Sequence, residues 1–230
     1  MNILAIETST EACSAALLHN NKITLEFDIT PQRHSQPILP MCDALLKQSG
    51  LSLKDLDAIA FAQGPGSFTG IRIAAGVTQG IAFGADLPVI AISTLEALAH
   101  QALKKHNNAS VLVAIDARMS EVYWAEYSLN KDNSIMSLCD EQVTRPSAVC
   151  SSSNQEIIAI GSGWKEYKSE FEPLVKEKNI TNIYSDALPS AELIVELAKL
   201  KWQKNELLTA EQAVPVYLRN DVAKKSIVKK

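Results

Sequence analysis

The stretch AQGPGSFTGIR, residues 62–72, decides how the first half of the chain is read. It places Gly64, Gly66 and Gly70, with Pro65, between two apolar runs. Such a break between apolar runs reads as a strand turning into a helix. Ser67 and Thr69 sit where the helix would begin, and Arg72 falls in its first turn. Backbone N–H groups at a helix start carry partial positive charge and suit an anion. Ser67, Thr69 and Arg72 are therefore candidate phosphate or nucleotide contacts. The spacing G-x-G-x-x-x-G matches neither the P-loop pattern nor G-x-G-x-x-G, and no lysine follows. Turn geometry that only aims the helix accounts for the same glycines.

The helix after the loop carries a second signal. Gly76, Gly80 and Gly84 recur every four residues and so share one stripe. A glycine inside a helix costs about 1 kcal/mol relative to alanine. Three in a row on one stripe point to a second backbone coming close. Ile71, Ala74, Ala75, Ile81 and Ala82 make the other faces apolar as well. Such a helix needs cover on more than one side. Its own sheet supplies one side, and a second helix, from this chain or from a partner, supplies the other. A fully internal helix in a three-layer domain answers the same requirement.

Working outward, NILAIETS and CSAALLHN read as strands, and Asn20-Asn21 suits a tight hairpin turn. KITLEFDIT alternates, with Ile23, Leu25, Phe27 and Ile29 on one face. The three form an antiparallel meander. Pro31, Pro37 and Pro40 mark a loop and a helix entry, and ILPMCDALLKQSG ends its helix at Gly50. LDAIAFAQ is a buried strand, LPVIAIS another, and STLEALAHQALKKH a helix in which Ser93 and Glu96 have capping-box spacing. The order is β-β-β-α-β-α-β-α. The second half starts alike, with SVLVAIDA, the alternating EVYWAEYSL, and SIMSLCDEQVT as a third strand. A short helix near PSAVCSS, the strand EIIAIG, an unreadable stretch at about 163–188 and the helix SAELIVELAKLKWQK follow. The fold class is α/β: two ribonuclease-H-like domains in an actin-like arrangement, each built as β-β-β-α-β-α-β-α. Residues 1–106 and 107–220 form the two domains, and 221–230 a basic tail, either disordered or packed back on the first domain.

With 230 residues the chain is long enough to bury a substantial core. Its formal net charge of −4 argues against general binding to a nucleic-acid backbone, which needs a basic face. The beginning, with Glu7 and Glu11 inside its apolar region, does not read as a signal peptide. The apolar stretch 71–93 is broken by Arg72, Gln79, Asp86 and Pro88, so no membrane span is expected and the location expected is cytoplasmic. Cys13, Cys42, Cys139 and Cys150 have no C-x-x-C or Cys/His spacing and read as small buried residues of a reduced protein.

Four stretches together, AIETST, QGPGSFTGIRI, IDARMSEVYWA and VPVYLRN, resemble the TsaB family, also called YeaZ, over Met1 to about Asn220. The resemblance implies the two-domain actin-like fold already reached. It also implies a non-catalytic scaffold or activator subunit for threonylcarbamoyladenosine synthesis on tRNA. The implied partners are a catalytic TsaD-type paralogue, a small TsaE-type ATPase and a second copy of the chain, with tRNA met only through the complex. The family pairs through its N-terminal-domain helices. This makes Ile38, Leu39, Cys42, Ile71, Ala74, Ala75, Gly76 and Gly80 the candidate partner interface, with ATP or ADP at that interface. The chain itself is expected to require no cofactor and to hold no metal or catalytic residue.

Departures from the catalytic paralogue support the scaffold reading. TsaD-type proteins carry an H-x-x-x-H metal pair. Here RHSQPILP has His34 but Ile38 at the second position, and a single imidazole is a poor metal site. The first hairpin reads Glu7-Thr8-Ser9-Thr10 without glycine, and IDARMSE, with Asp116, Arg118 and Met119, replaces a glycine-rich phosphate hairpin. Gly161 and Gly163 in AIGSGW resemble a remnant of an adenosine-side turn, and ordinary turn use accounts for them as well. The alternatives are an ATP-dependent phosphotransferase or ATPase on the same fold, using Glu7 and Asp116, and a peptidase, for which no H-E-x-x-H appears. Lys224, Lys225, Lys229 and Lys230 in the tail read as a solvated end or as a contact to tRNA phosphate.

Overall fold

A computed structural model of the protein describes residues 1–29 and 36–219. Pro31, His34 and the basic tail 221–230 lie outside the described residues. The first sheet opens with the expected meander, β1 (Ile3–Glu7), β2 (Ala12–His19) and β3 (Lys22–Ile29), paired antiparallel. Asn20 and Asn21 both take positive φ, 51° and 58°, and close the β2–β3 hairpin. Helix α1 (Ile38–Ser49) stops at Gly50, which is left-handed at φ 68°. β4 (Ala58–Gly64), α2 (Phe68–Ala85), β5 (Val89–Ser93) and α3 (Thr94–Leu103) follow. β4 lies parallel to β1 and β5 parallel to β4, giving the order β3-β2-β1-β4-β5. The Ser93 hydroxyl caps α3, accepting from the N–H of Leu95 and Glu96 at 3.1 and 3.3 Å.

The second sheet repeats the beginning of the plan. β6 (Ser110–Asp116) and β7 (Val122–Leu129) form an antiparallel hairpin. The expected third strand is two short ones, β8 (Ile135–Ser137) and β9 (Gln142–Thr144), each paired with β7. A single 3-10 turn at Pro146–Ala148 stands where a short helix was expected. β10 (Ile157–Ile160) runs parallel to β6. The unreadable stretch holds α4 (Gly163–Glu166), α5 (Lys168–Glu177) and β11 (Asn182–Tyr184). The order is β11-β10-β6-β7-β8.

The last helix, α6 (Ala191–Gln203), does not complete the second half. Its Ala191, Ile194, Val195 and Ala198 pack on the first sheet against Ile3, Ala5, Ala16 and Ile90. The opposite face of that sheet is covered by α1 and α2. Helix α3 goes the other way: Leu95, Leu98, Ala102 and Leu103 pack on the second sheet against Val111, Val113, Tyr127 and Ile158. Helices α4 and α5 cover that sheet's far face through Trp164 and Phe171. Each half thus lends a helix to the other. The order β-β-β-α-β-α-β-α recurs in the second half with a 3-10 turn in place of its first helix, and its last helix serves the first sheet. The fold class stands: two mixed sheets, each between helical layers, in the actin-like arrangement.

Candidate functional site

Between the two sheets lies a cleft of about 1170 Å³. Its walls include Ser9, Gly66, Ser67, Phe68 and Thr69 from the first lobe and Asp116, Arg118, Met119, Ser162 and Lys165 from the second. The opening loop forms part of the first wall, and its glycines are explained by the β1–β2 turn behind it. The N–H of Ser67 donates to the carbonyl of Ser9 at 2.7 Å, and the Thr8 hydroxyl donates to the carbonyl of Gly70 at 2.7 Å. A Cβ built on Gly66 would overlap the Ser9 carbonyl, and one built on Gly70 the Thr8 carbonyl. Glycine is required there by backbone approach, without reference to any ligand.

The second lobe repeats this junction. A Cβ on Gly161 would lie 2.5 Å from the Ala114 carbonyl oxygen, and one on Gly163 would lie 2.8 Å from a Val122 methyl. Gly161 also has φ 108°, which side chains rarely adopt. Each lobe therefore presses the turn after its second parallel strand, β4 or β10, onto its first hairpin.

Each first strand ends in a carboxylate. Glu7, at the end of β1, is wholly buried. Its Oε1 accepts from the Ser9 N–H at 2.5 Å and from the Ser9 hydroxyl at 2.7 Å, while Oε2 has no partner among the described residues. Burial pushes this carboxyl up to about 7, outweighing the two Ser9 bonds that favour the charged form. Asp116, at the end of β6, opens on the cleft. Its Oδ1 accepts from the Arg118 N–H and the Tyr167 hydroxyl, each at 2.8 Å, and its Oδ2 pairs with the Arg118 guanidinium at 2.9 Å. Burial and then the bond to Asp116 push the Tyr167 hydroxyl up to about 12. Among the described residues no three His, Cys, Asp or Glu side chains are grouped to hold a metal.

The three candidate anion contacts are separated by what they touch. Ser67 and Thr69 are exposed, and the Ser67 hydroxyl accepts a long 3.4 Å bond from the Gly70 N–H. Arg72 is engaged within the chain. Its Nε donates to the Tyr217 hydroxyl at 2.7 Å, and its guanidinium sits 3.6 Å from the centre of the Phe68 ring. Sequence reasoning missed Phe68 and Tyr217 as its partners; Tyr217 lies in VPVYLRN, 145 residues away.

The candidate interface divides in two. Ala74 and Ala75 of α2, with Ile38 and Cys42 of α1, are buried and pack inward in one cluster with Leu4, Ile6, Cys13 and Phe61, and Ile71 is buried at the cleft end of α2. Burial pushes the Cys42 thiol up to about 12, so it is a poor nucleophile. Gly76 and Gly80 do face outward, with Gly84, and Leu39 is 53% exposed. A Cβ on any of the three glycines meets nothing within 4 Å. Phe83, 79% exposed, stands beside the stripe and was not singled out by spacing. The second backbone that the stripe was expected to meet is not supplied by the described residues of this chain.

Residues 28–225 match the family described as TsaD, tRNA N6-adenosine threonylcarbamoyltransferase. The tRNA threonylcarbamoyladenosine biosynthesis protein TsaB of Haemophilus influenzae is 43% identical, with 99% of this chain and 97% of that protein covered. Its Escherichia coli counterpart is 42% identical over 99% of this chain and 98% of its own length. The solved structure of YeaZ from Pseudomonas aeruginosa superposes with a TM-score of 0.85 at 40% identity, covering 94% of this chain and 99% of that one. Among the described residues no helix is long and apolar enough to cross a membrane. With near-complete alignment to named relatives and the same two-lobed fold, the chain belongs to the TsaB family, within the wider group that the TsaD match defines.

Proposed function

We propose that this chain is a non-catalytic subunit for threonylcarbamoyladenosine synthesis on tRNA, working in the cytoplasm and pairing through the outward face of α2 with a TsaD-type catalytic paralogue. The observation that carries the reading is the bare glycine stripe. Gly76, Gly80 and Gly84 leave room for a second helix, and Phe83, exposed on the same helix, offers an apolar anchor. An interior stripe of three glycines weakens an isolated helix and gains its value only when another backbone packs on it. In this reading the homodimer uses the same face, and the TsaE-type ATPase and any ATP or ADP meet the chain at or near the pair. In the same reading residues 1–106 and 107–220 act as the two lobes.

The two strand-end carboxylates support a non-catalytic role. Glu7 is sealed off with a raised pKa, and Asp116 is already held by Arg118 and Tyr167. The test is sedimentation of the purified chain alone and with a TsaD-type partner, for the wild type and Gly80→Leu. A Cβ at position 80 meets nothing within 4 Å on this exposed face, so the variant is expected to fold and to melt at or above the wild-type temperature. Association weakens on the order of tenfold or more. Unchanged association with both partners overturns the α2 interface. Magnesium-dependent ATP turnover by the isolated chain overturns the non-catalytic role.

A further inference from the structure

After α6 the chain returns along the first lobe. Val89 and Leu208 exchange backbone hydrogen bonds at 2.9 and 2.8 Å, and the Val216 N–H donates to the Gln63 carbonyl at 2.8 Å. Tyr217 then joins Arg72 and Phe68 on the cleft wall. Two residues later the chain is at the other lobe. The Arg219 guanidinium pairs with Glu121, donates to the Arg118 carbonyl at 3.4 Å and reaches the Met119 sulfur at 3.4 Å. On the far side of the cleft the lobes are joined differently. There α3 packs on the second sheet, and Glu141 accepts from both Ser93 of the first lobe and Tyr127 of the second.

From this we infer that residues 214–219 form a strap across the cleft mouth, that Arg219 is its latch on the β6–β7 turn, and that releasing the latch opens the cleft about the α3 side. The turn is an element that gains from being held. Arg118, Met119 and Ser120 all have positive φ, 61°, 57° and 58°, a run that non-glycine residues adopt at a cost. Arg219 binds the first residue of that run by its carbonyl, the second by its sulfur and the strand start by Glu121. The guanidinium is 17% exposed and Glu121 33%, so the pair is partly shielded from water and salt. The strap also governs the opening loop. While the strap is in place Tyr217 engages Arg72, and release of the strap frees that guanidinium. The inference stands apart from any partner on α2.

The experiment is hydrogen exchange on the full chain for wild type, Arg219→Ala, Glu121→Gln and the double variant, with small-angle scattering on each. Both single variants are expected to speed exchange of the Ala117 and Glu121 amides on the order of tenfold, the scale of one charge-assisted hydrogen bond. The double variant adds little to either, since both remove one pair. Amides of β4 and α2 stay protected, and the radius of gyration rises in all three. Unchanged exchange in the turn, or an equal rise throughout the molecule, overturns the latch. An unchanged radius of gyration overturns the opening. Glu121→Gln alters only a half-exposed side chain and keeps the test open if Arg219→Ala fails to fold.

Discussion

The β1–β2 turn of the first lobe and the β6–β7 turn of the second occupy the same place in the same topology, yet treat their carboxylates in opposite ways. Glu7 is sealed behind Gly66 and Gly70 and rises to about 7, while Asp116 opens on the cleft and is charge-paired with Arg118. What differs is the loop in front. The first lobe's loop drops two glycine backbones directly onto Thr8 and Ser9. The second lobe's glycines press on Ala114, two residues before Asp116, and leave the carboxylate free to meet a cation and a phenol. Equivalent topology does not fix how deeply a carboxylate is buried; the approach of one loop does.

The largest effect that bears on this comparison is steric. Gly70→Ala forces a methyl into the Thr8 carbonyl, and Gly161→Ala forces one against Ala114 at positive φ. Each should cost about 3 kcal/mol or more in urea unfolding. Gly80→Ala on the same helix as Gly70 should instead stabilise by up to about 1 kcal/mol. A mild Gly70→Ala would mean that the first junction is loose and the burial of Glu7 has another cause.

Next comes pH. Glu7 binds its proton more tightly in the folded chain than in the unfolded one, where its value is 4.5. Its contribution is full below about 4.5 and is lost as pH rises through about 7. Glu7→Gln keeps an acceptor for Ser9 and carries no charge. It should flatten stability between pH 5 and 8, with a gain at pH 8 of up to about 3 kcal/mol over wild type. Identical pH profiles for the two proteins would place Glu7 in contact with water.

The smallest effect concerns the second turn. Asp116→Asn leaves the burial that raises the Tyr167 hydroxyl most but removes the Asp116 charge, so the value should fall only part of the way from about 12 toward the ordinary 10 in an ultraviolet titration. Urea stability should change by less than about 1 kcal/mol, because the Asp116–Arg118 pair has one largely exposed partner. A large loss of stability would make Asp116 the counterpart of Glu7 after all.

Much of this architecture is legible in the sequence, for local reasons. Asn20-Asn21, Gly50 and the alternation in KITLEFDIT each act within a few residues of where they stand. The alternation in EVYWAEYSL sorts Val122 and Trp124 to one face and Tyr123, Ala125 and Tyr127 to the other, as the core clusters confirm. Helix α5 was not legible because its sequence is mostly polar and carries Pro173. The outward face of α2 was half legible. Periodicity separated the glycine stripe from Ile71, Ala74 and Ala75, but a helix apolar on both sides does not reveal which side meets its own sheet. The clasp of Arg72 by Tyr217 and the pair of Arg219 with Glu121 join residues about a hundred or more apart, and no spacing rule reaches that far.

The exchange of α3 and α6 has a consequence for how the molecule is made. All five strands of the first sheet have been synthesised by residue 93, yet the helix that seals one of its faces ends at residue 203. Until then Ile3, Ala5, Ala16 and Ile90 present bare apolar surface. On the ribosome this interval spans about a hundred residues, several seconds of elongation at about 5–20 residues per second. The first lobe is therefore completed last, and a chain that stops before α6 leaves that face of its first sheet uncovered.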